Sequence, residues 1–467
     1  MAQSKYEYVK GFESDDALPS GNWIVVRIQG RDFKELLKGH GVERDDSRAL
    51  ALVEDCLKTL VWNFFDIVCA YGVIYESSFV FHESTSFFRR RESKLVSVLV
   101  SSFTSLYVRS WPSFFPETNL LSTPVFSGAA YCYPKNSLVR SYLSSLQENW
   151  ISGLQASNDQ MGAFVFKRKV GEQVDVCSMR GEITSDAFWM EHSFILEKKK
   201  SKRSIIKARQ RGVEQSPTMV ERDPMKVDLG VTTGQFLQAN WIVVRIDGRG
   251  FKKFADLHGF QKPNDERALQ LMDECAKAIL EENTDIVCAY GISDEYSFLI
   301  RRGAHQQASN ELISATVSLF TSKYVMLWPK FFHDRELECA PAFDARAVCY
   351  PTETTVRDYL AWRQVDCHIN NVNNTCFWKL REQGLNPSNA HKTLMGTRSS
   401  EKKELLSNDF RIDYNALPAK YRKGSLLVRK PDQTIFHYHD FDVIGDDFWK
   451  EHSYILQKWV AMISAHA

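Results

Sequence analysis

Two kinds of hydrophobic pattern run along this chain, and each occurs twice. Residues 241–246, WIVVRI, are a largely apolar run rich in β-branched side chains that ends near a glycine, which predicts a buried strand. PNDERALQLMDECAKAILEE then places apolar residues at 268, 271, 272, 275, 276 and 279, the spacing of one helix face. Pro263 and Asn264 are start signals for that helix, and acids occupy its first turn. DIVCAYGISDEYSFLI reads as a strand, a tight glycine-containing turn and a second strand, hence a hairpin. A second amphipathic helix is predicted over about 311–327, and AVCYP closes another short strand. The order β, α, ββ, α, β predicts an α+β domain of the split βαβ, ferredoxin-like kind, an antiparallel sheet with helices on one face.

The same pattern stands earlier in the chain. WIVVRIQGRDF at 23–33 returns as WIVVRIDGRGF at 241–251, identical at 9 of 11 positions, and DIVCAYG at 66–72 returns unchanged at 285–291. The offset is 218 at Trp23/Trp241, 219 at Asp66/Asp285 and 217 at Tyr133/Tyr350, so the domain is duplicated. FWMEHSFIL at 188–196 matches FWKEHSYIL at 448–456 with an offset of 260, so the first copy lacks 43 residues after about Tyr142. The domains expected are 1–196, a basic linker at 197–223, and 224–467.

Composition narrows the class. The chain has 467 residues, 44% hydrophobic and 25% charged, the profile of a folded globular protein. Its 59 basic and 58 acidic side chains leave a net charge of +1, which excludes a wholly basic nucleic-acid coat and leaves room for a local basic patch. No run is long and apolar enough for a membrane span, and the first residues lack the apolar core of a signal peptide, so no membrane partner and an intracellular place are expected. Eight Lys or Arg stand among the first fifteen linker residues, and this run at 198–211 reads as a plain solvated linker, a nuclear address or a phosphate-binding strap, with a nuclear place expected and a cytoplasmic one as the alternative. The ten cysteines are scattered with no CxxC pair, and a structural zinc site is not expected.

The candidate chemistry sits at strand ends. Asp247 ends the first strand of the second copy and Asp294 lies at the turn of its central hairpin, so two acids distant in sequence converge on one edge. Such carboxylates are hard oxygen ligands suited to magnesium, and two ions clamp both oxygens in phosphoryl or nucleotidyl transfer. Gly248 leaves its carbonyl open to an ion. A DG dipeptide can equally be a plain turn and an acidic hairpin plain solubility. The first copy is an internal control: Gln29 replaces Asp247, Ile74 and Tyr75 replace Ser293 and Asp294, and Glu43 replaces Lys262. This contrast points to one active and one inactive copy.

RIDGRGF, KPNDERAL, AYGISDEYSF, AFDARAVCYP, YLAWRQVDCHINNVNNTCFW and YRKGSLL together resemble the tRNA-histidine guanylyltransferase family over about 224–467, and the first copy is similar over about 1–196. The resemblance implies a polymerase-palm-like domain that adds guanosine to the 5′ end of tRNA(His). ATP would adenylylate the 5′ phosphate, and GTP would then displace AMP. It implies two Mg2+ ions on Asp247, Asp294 and the Gly248 carbonyl, with Glu295 a supporting acid. It implies nucleotide or phosphate contacts from Asp247 to Phe251 (with Arg249 and Gly250 between), Lys262, Ser293, Asp294, Arg346 and Lys402. His368, Asn370 and Asn371 fall in the family's signature segment, and Arg422 in its basic stretch near the end. For His368 a core role is the bland alternative, and a metal bound with Cys367 and Cys376 is disfavoured because adjacent side chains rarely face one way.

There are departures. The family's basic run opening the second long helix is replaced by QQASNEL, without a base from Gln307 to Glu311, while the first copy retains RRRESKL. Asp413 replaces a family asparagine. Because the resemblance implies symmetric oligomers, a pseudo-tetramer from two tandem chains is expected, with Arg89, Arg90, Arg91 and Lys94 of the first copy lending tRNA or phosphate contacts. Two other readings stay open, a non-catalytic tRNA-binding protein of the same fold and a palm-type nucleotide cyclase.

Overall fold

The computed structural model describes residues 4–152, 161–197, 240–301 and 309–457. The basic run at 198–211 and Gln307 lie outside the described residues. By contacts the chain divides into two units, one of Asp16 to Thr233 and one joining the first fifteen residues to the second copy. The duplication assigns residues 1–15 to the first copy, whereas they pack in the second unit.

The first unit contains β1 (Trp23–Gly30), α1 (Phe33–Gly39), α2 (Ser47–Asn63), β2 (Ile67–Val73), β3 (Glu76–Phe81), α3 (Glu92–Phe114), β4 (Phe126–Tyr133), α4 (Asn136–Ile151), β5 (Ala163–Val170), β6 (Gln173–Met179) and α5 (Asp186–Glu191). Its strands form one antiparallel sheet in the order β4-β1-β3-β2-β5-β6.

The second unit repeats this plan with β7 (Trp241–Gly248), α6 (Phe251–Leu257), α7 (Glu266–Glu282), β8 (Ile286–Ile292), β9 (Glu295–Ile300), α8 (Ser309–Phe331), β10 (Phe343–Tyr350), β11 (Ser425–Arg429), β12 (Ile435–Tyr438) and α13 (Asp446–Glu451). Between β10 and β11 it inserts α9 (Glu353–Glu382), α10 (Pro387–Leu394), α11 (Ser399–Phe410) and α12 (Ala419–Lys423). The sheet order is β10-β7-β9-β8-β11-β12, so the predicted α+β class is what folds, with two further strands on one edge.

Helices on one face is corrected to helices on both. Residues alternate across a strand, so Tyr296 and Phe298 of β9 point one way, onto Phe320 of α8, while Ser297 points the other and bonds the Tyr359 hydroxyl of α9 at 2.7 Å. Trp241, Val243, Leu299 and Tyr350 on that second face share a core with Val356, Tyr359 and Leu360 of α9. Val9, from a short 3-10 helix at Glu7–Phe12, is fully buried in the same core. On the α8 face Phe251, Tyr324 and Phe343 pack ring against ring, each burial contributing about 2–3 kcal/mol.

Local signals explain the helix starts. The Asp265 carboxylate accepts the Arg267 amide at 3.0 Å and caps α7, one residue beyond the Pro-Asn signal. Thr352 and Thr355 form a reciprocal capping box at the start of α9. The 43 residues that the first copy lacks map to the insertion: α4 stops at Ile151, which at an offset of 217 corresponds to His368, whereas α9 runs on to Glu382. The extended part of α9 builds a small core of its own from Val372, Cys376, Leu394, Leu406 and Tyr414.

Candidate active site

The β7–β9 pair and the β8–β9 turn place the acids. Asp247 lies opposite Glu295 on β9 and opposite Asp344 on β10, so the three carboxylates share one sheet face. The hairpin turn is Ser293–Asp294, not the glycine: Gly291 lies inside β8, and Ser293 takes a positive φ of 52°. The Gly248 amide donates to the Asp294 carbonyl at 3.0 Å, bringing Asp247 and Asp294 together across that turn. A Cβ on Gly248 would stand 2.4 Å from the Phe251 ring and 2.9 Å from Asp294 Oδ2, which is why this position takes glycine. Gly250, at φ 69°, supplies the left-handed residue that starts α6.

Electrostatics marks the pair. Burial, reinforced by Asp294, Glu295 and Asp344, pushes the Asp247 carboxyl up to about 7 despite Arg245. Burial also raises Asp294, to about 6, against the opposing hydrogen bond from Ser293. Glu295 is differently placed, since the Arg363 guanidinium holds its two oxygens at 2.7 and 2.9 Å. It acts as an anchored acid beside the pair. All ligands here are oxygens, and two carboxylates whose proton affinity is raised by burial and by acidic neighbours suit a hard divalent cation, which relieves burial and repulsion together.

A cavity of about 550 Å³ opens beside Asp294. Ser293, Lys262, Asn264, Asn373, Asn374, Trp378, Arg381 and His391 line it. Lys262 reaches Asp256 at 3.0 Å and its ammonium lies 5.7 Å from the Trp378 ring. Asn371, buried on α9, donates to Asn264 at 3.3 Å and accepts the Tyr414 hydroxyl at 3.1 Å, so the signature segment ties the cavity wall to the inserted helices. Asn370 is exposed. His368 packs edge-on against Tyr414, and burial, Lys403 and Arg422 all lower its proton affinity. Arg422 in turn donates to the Leu417 carbonyl at 2.8 Å. Arg249 is exposed on the loop after β7.

Other expected contacts lie elsewhere. The Phe251 ring is core, packed on Phe254, Tyr324 and Phe343, at the edge of the cavity. Lys402 is buried, donates to the Thr397 carbonyl at 2.8 Å and does not line the cavity. Arg346 is paired with Glu13 from the N-terminal segment, which also stands 3.7 Å from Arg245. In the first copy Arg90 is buried and donates to the carbonyls of Leu18, Pro19, Asn22 and Thr85 at 2.6 to 3.2 Å, so it is a structural arginine, not an RNA contact. Arg91 pairs with Asp16 at 3.1 Å. Arg89 is exposed, and Lys94 stands 5.5 Å from the Phe88 ring. Cys367 and Cys376 reach the carbonyls of Tyr421 and Lys402 rather than His368.

The corresponding place in the first copy has lost its aspartates. Gln29 lies opposite Glu76 and Ser127 as Asp247 lies opposite Glu295 and Asp344. Glu76 is held by Arg27 through two bonds of 2.6 Å, and Gln29 donates to it at 3.0 Å. Tyr75 packs on Trp150. Comparison of the two copies was the signal that could have found Asp344, because its counterpart is Ser127.

A sequence model described as tRNAHis guanylyltransferase matches this chain twice, at residues 6–134 and 228–351, and a model of that family's C-terminal domain matches 354–452. The tRNA(His) guanylyltransferase 1 of Arabidopsis thaliana is 37% identical, covering 98% of this chain and 91% of the relative. The tRNA(His) guanylyltransferase 2 of the same plant is 35% identical, covering 98% and 99%. The crystal structure of the tRNA(His) guanylyltransferase of Saccharomyces cerevisiae aligns with 46% of this chain and 95% of its own, at 42% identity and a TM-score of 0.43.

Proposed function

The chain belongs to the tRNA(His) guanylyltransferase family, and from that premise we propose that its second copy adds guanosine to the 5′ end of tRNA(His). In this reading ATP adenylylates the 5′ phosphate, and the 3′ hydroxyl of GTP then attacks that phosphorus and releases AMP. The observation that carries it is the internal contrast. Asp247, Asp294 and Asp344 stand together in one copy, while Gln29, Tyr75 and Ser127 replace them in a copy whose surrounding Arg–Glu pair persists.

Asp247, Asp294 and the Gly248 carbonyl would hold magnesium, with Asp344 added as an acid on the same face. Magnesium bound there would neutralise phosphate charge and activate the attacking hydroxyl. The chain's own residues do the positioning. Lys262 and Arg381 bring positive charge to the cavity, Trp378 and Phe377 offer ring faces to a base, and Asn373 and Asn374 offer polar groups to a sugar or base edge. Glu295 stays clear of the ligand role because Arg363 holds it.

The test incubates the full chain with magnesium, labelled ATP and 5′-phosphorylated tRNA(His), scoring AMP transfer and then guanosine addition with GTP. Asp294→Asn is expected to lower both steps by at least about 10²- to 10³-fold with an unchanged circular dichroism spectrum. A folded variant with more than a tenth of wild-type activity would remove the acids from the mechanism. A folded wild-type chain inert toward tRNA would remove the function.

A further inference from the structure

Outside the palm site, three ligand-bearing side chains meet at the far edge of the second sheet. Asp273 of α7 and His437 and His439, two apart at the end of β12, bring one ligand atom each to within 4.8 Å of one another. Asp273 is buried, His437 half-buried and His439 exposed, so the group opens to solvent on one side. The carboxylate is already oriented: the Tyr296 hydroxyl donates to Asp273 Oδ1 at 2.6 Å and Ser425 Oγ to Oδ2 at 3.2 Å. His437 Nε2 is buried, lies 3.5 Å from Asp273 Oδ2 and makes no hydrogen bond.

The first copy shows what this place needs. The strand registers align Leu426 with Phe164, hence His437 with Ser178 and His439 with Arg180, and the equal 17-residue helices align Asp273 with Glu54. There Ser178 donates to Glu54 at 2.7 Å, and Arg180 and Lys58 reach it at 2.9 and 2.7 Å. A half-buried carboxylate is thus neutralised by built-in cations. In the second copy the arginine has become a histidine, and Lys277, the counterpart of Lys58, turns to Glu281 at 3.8 Å. Lys420 pairs with Glu266. The acid persists while its arginine and serine partners are replaced by imidazoles and its lysine turns away, and burial favours the neutral, ligating form of both rings.

We propose that Asp273, His437 and His439 bind a first-row transition cation, zinc by chemistry, which takes the place that Arg180 fills in the first copy and pins β12 to α7. Two imidazoles and a carboxylate with an open fourth position form a donor set that zinc accepts and magnesium does not favour. Ligand atoms on a tetrahedral zinc lie roughly 3.4 Å apart, which His437 and Asp273 already approach at 3.5 Å, so the group has to close by at most about 1.4 Å, which rotation of the exposed His439 supplies. Tyr296 and Ser425 are the outer groups that hold the carboxylate. Cysteine spacing gave no reason to expect zinc here, because no cysteine takes part.

The test strips the full chain with a chelator, saturates it with magnesium and titrates with Zn2+ alone by calorimetry, with Co2+ absorption reporting the ligand field. One Zn2+ per chain and cobalt bands of a four-coordinate nitrogen–oxygen site are expected. His437→Gln with His439→Gln should weaken zinc at least about 100-fold. The triple change Asp273→Glu, His437→Ser, His439→Arg installs the trio that packs in the first copy, and should abolish zinc binding without lowering the melting temperature of the zinc-free chain. Asp294→Asn should bind zinc as wild type does. Equal zinc binding by the wild type and the triple variant, or zinc lost in Asp294→Asn and retained in the histidine variant, would overturn the site.

Discussion

Asp247 is costly to ionise in the folded chain. Its carboxyl sits at about 7 because of burial and then three acidic neighbours, against an ordinary value near 4 in an unfolded chain. Between those values the folded state binds the extra proton, so this group's contribution to stability is full below about pH 4 and is lost as pH rises to about 7. In chelator at pH 8, Asp247→Asn is therefore expected to stabilise the chain by on the order of 3 kcal/mol, and the gain should vanish near pH 4. Thermal melts from pH 4 to 8 check this, and adding magnesium should narrow the difference by stabilising only the wild type. An equal melting temperature at both pH extremes would sink the account. At this scale the residues split in their legibility. Asp247 and Asp294 stood out because a near-identical string surrounds them in both copies. Asp344 was hidden because its strand-mate relation to Asp247 is a matter of register, 97 positions away along the chain.

Among the elements, the N-terminal 3-10 helix shows how far local pattern can mislead. Six residues with one buried valine carry no periodic signal, yet Val9 is fully buried under α9 and Phe12 packs on Tyr350 at 5.4 Å. Val9→Ala should cost about 2 kcal/mol, and that loss should fall on the second unit. Glu13→Gln removes the charge that holds Arg346 and faces Arg245, and should tighten triphosphate binding about three- to tenfold at little cost in melting temperature. Parallel binding and melting measurements separate the two variants; tighter binding in neither would show that Arg346 does not face the nucleotide. The long helices and the hairpin, by contrast, were readable, because each buries one regular face. The turn holds Asp294 as expected but not the glycine, since Gly291 is needed inside the strand, where a Cβ would meet the Tyr296 ring at 2.3 Å.

For the whole molecule, the duplication allows a direct trial of what an active copy requires. In a chain silenced by Asp294→Asn, the changes Gln29→Asp, Tyr75→Asp and Ser127→Asp together restore the acids of the first copy. No guanosine addition is expected, because α4 ends where α9 continues and the first copy has no counterpart of Asn371, Asn373 or Trp378. The addition assay on this full chain checks it, and turnover above the silenced parent would mean that the acids alone suffice. Arg90 belongs to the same lesson: three consecutive arginines and Lys94 read as one charged patch, but burial gave one of them a structural task.

The amino-acid sequence by itself determined the duplicated α+β plan, the contrast in acids between the two copies, and the place of those acids at the strand ends. These follow from periodicity and from matching short strings in one half of the chain with those in the other, both of which are read from the local order of residues. Only the tertiary structure decided that helices cover both sheet faces, that the first fifteen residues join the second unit, and that Glu13 takes Arg346. It also decided that Asp273, His437 and His439 meet although α7 and β12 are more than 150 residues apart. The reason is physical. A side chain's partner is set by strand register and by which buried charge most needs neutralising, and neither is written in local spacing.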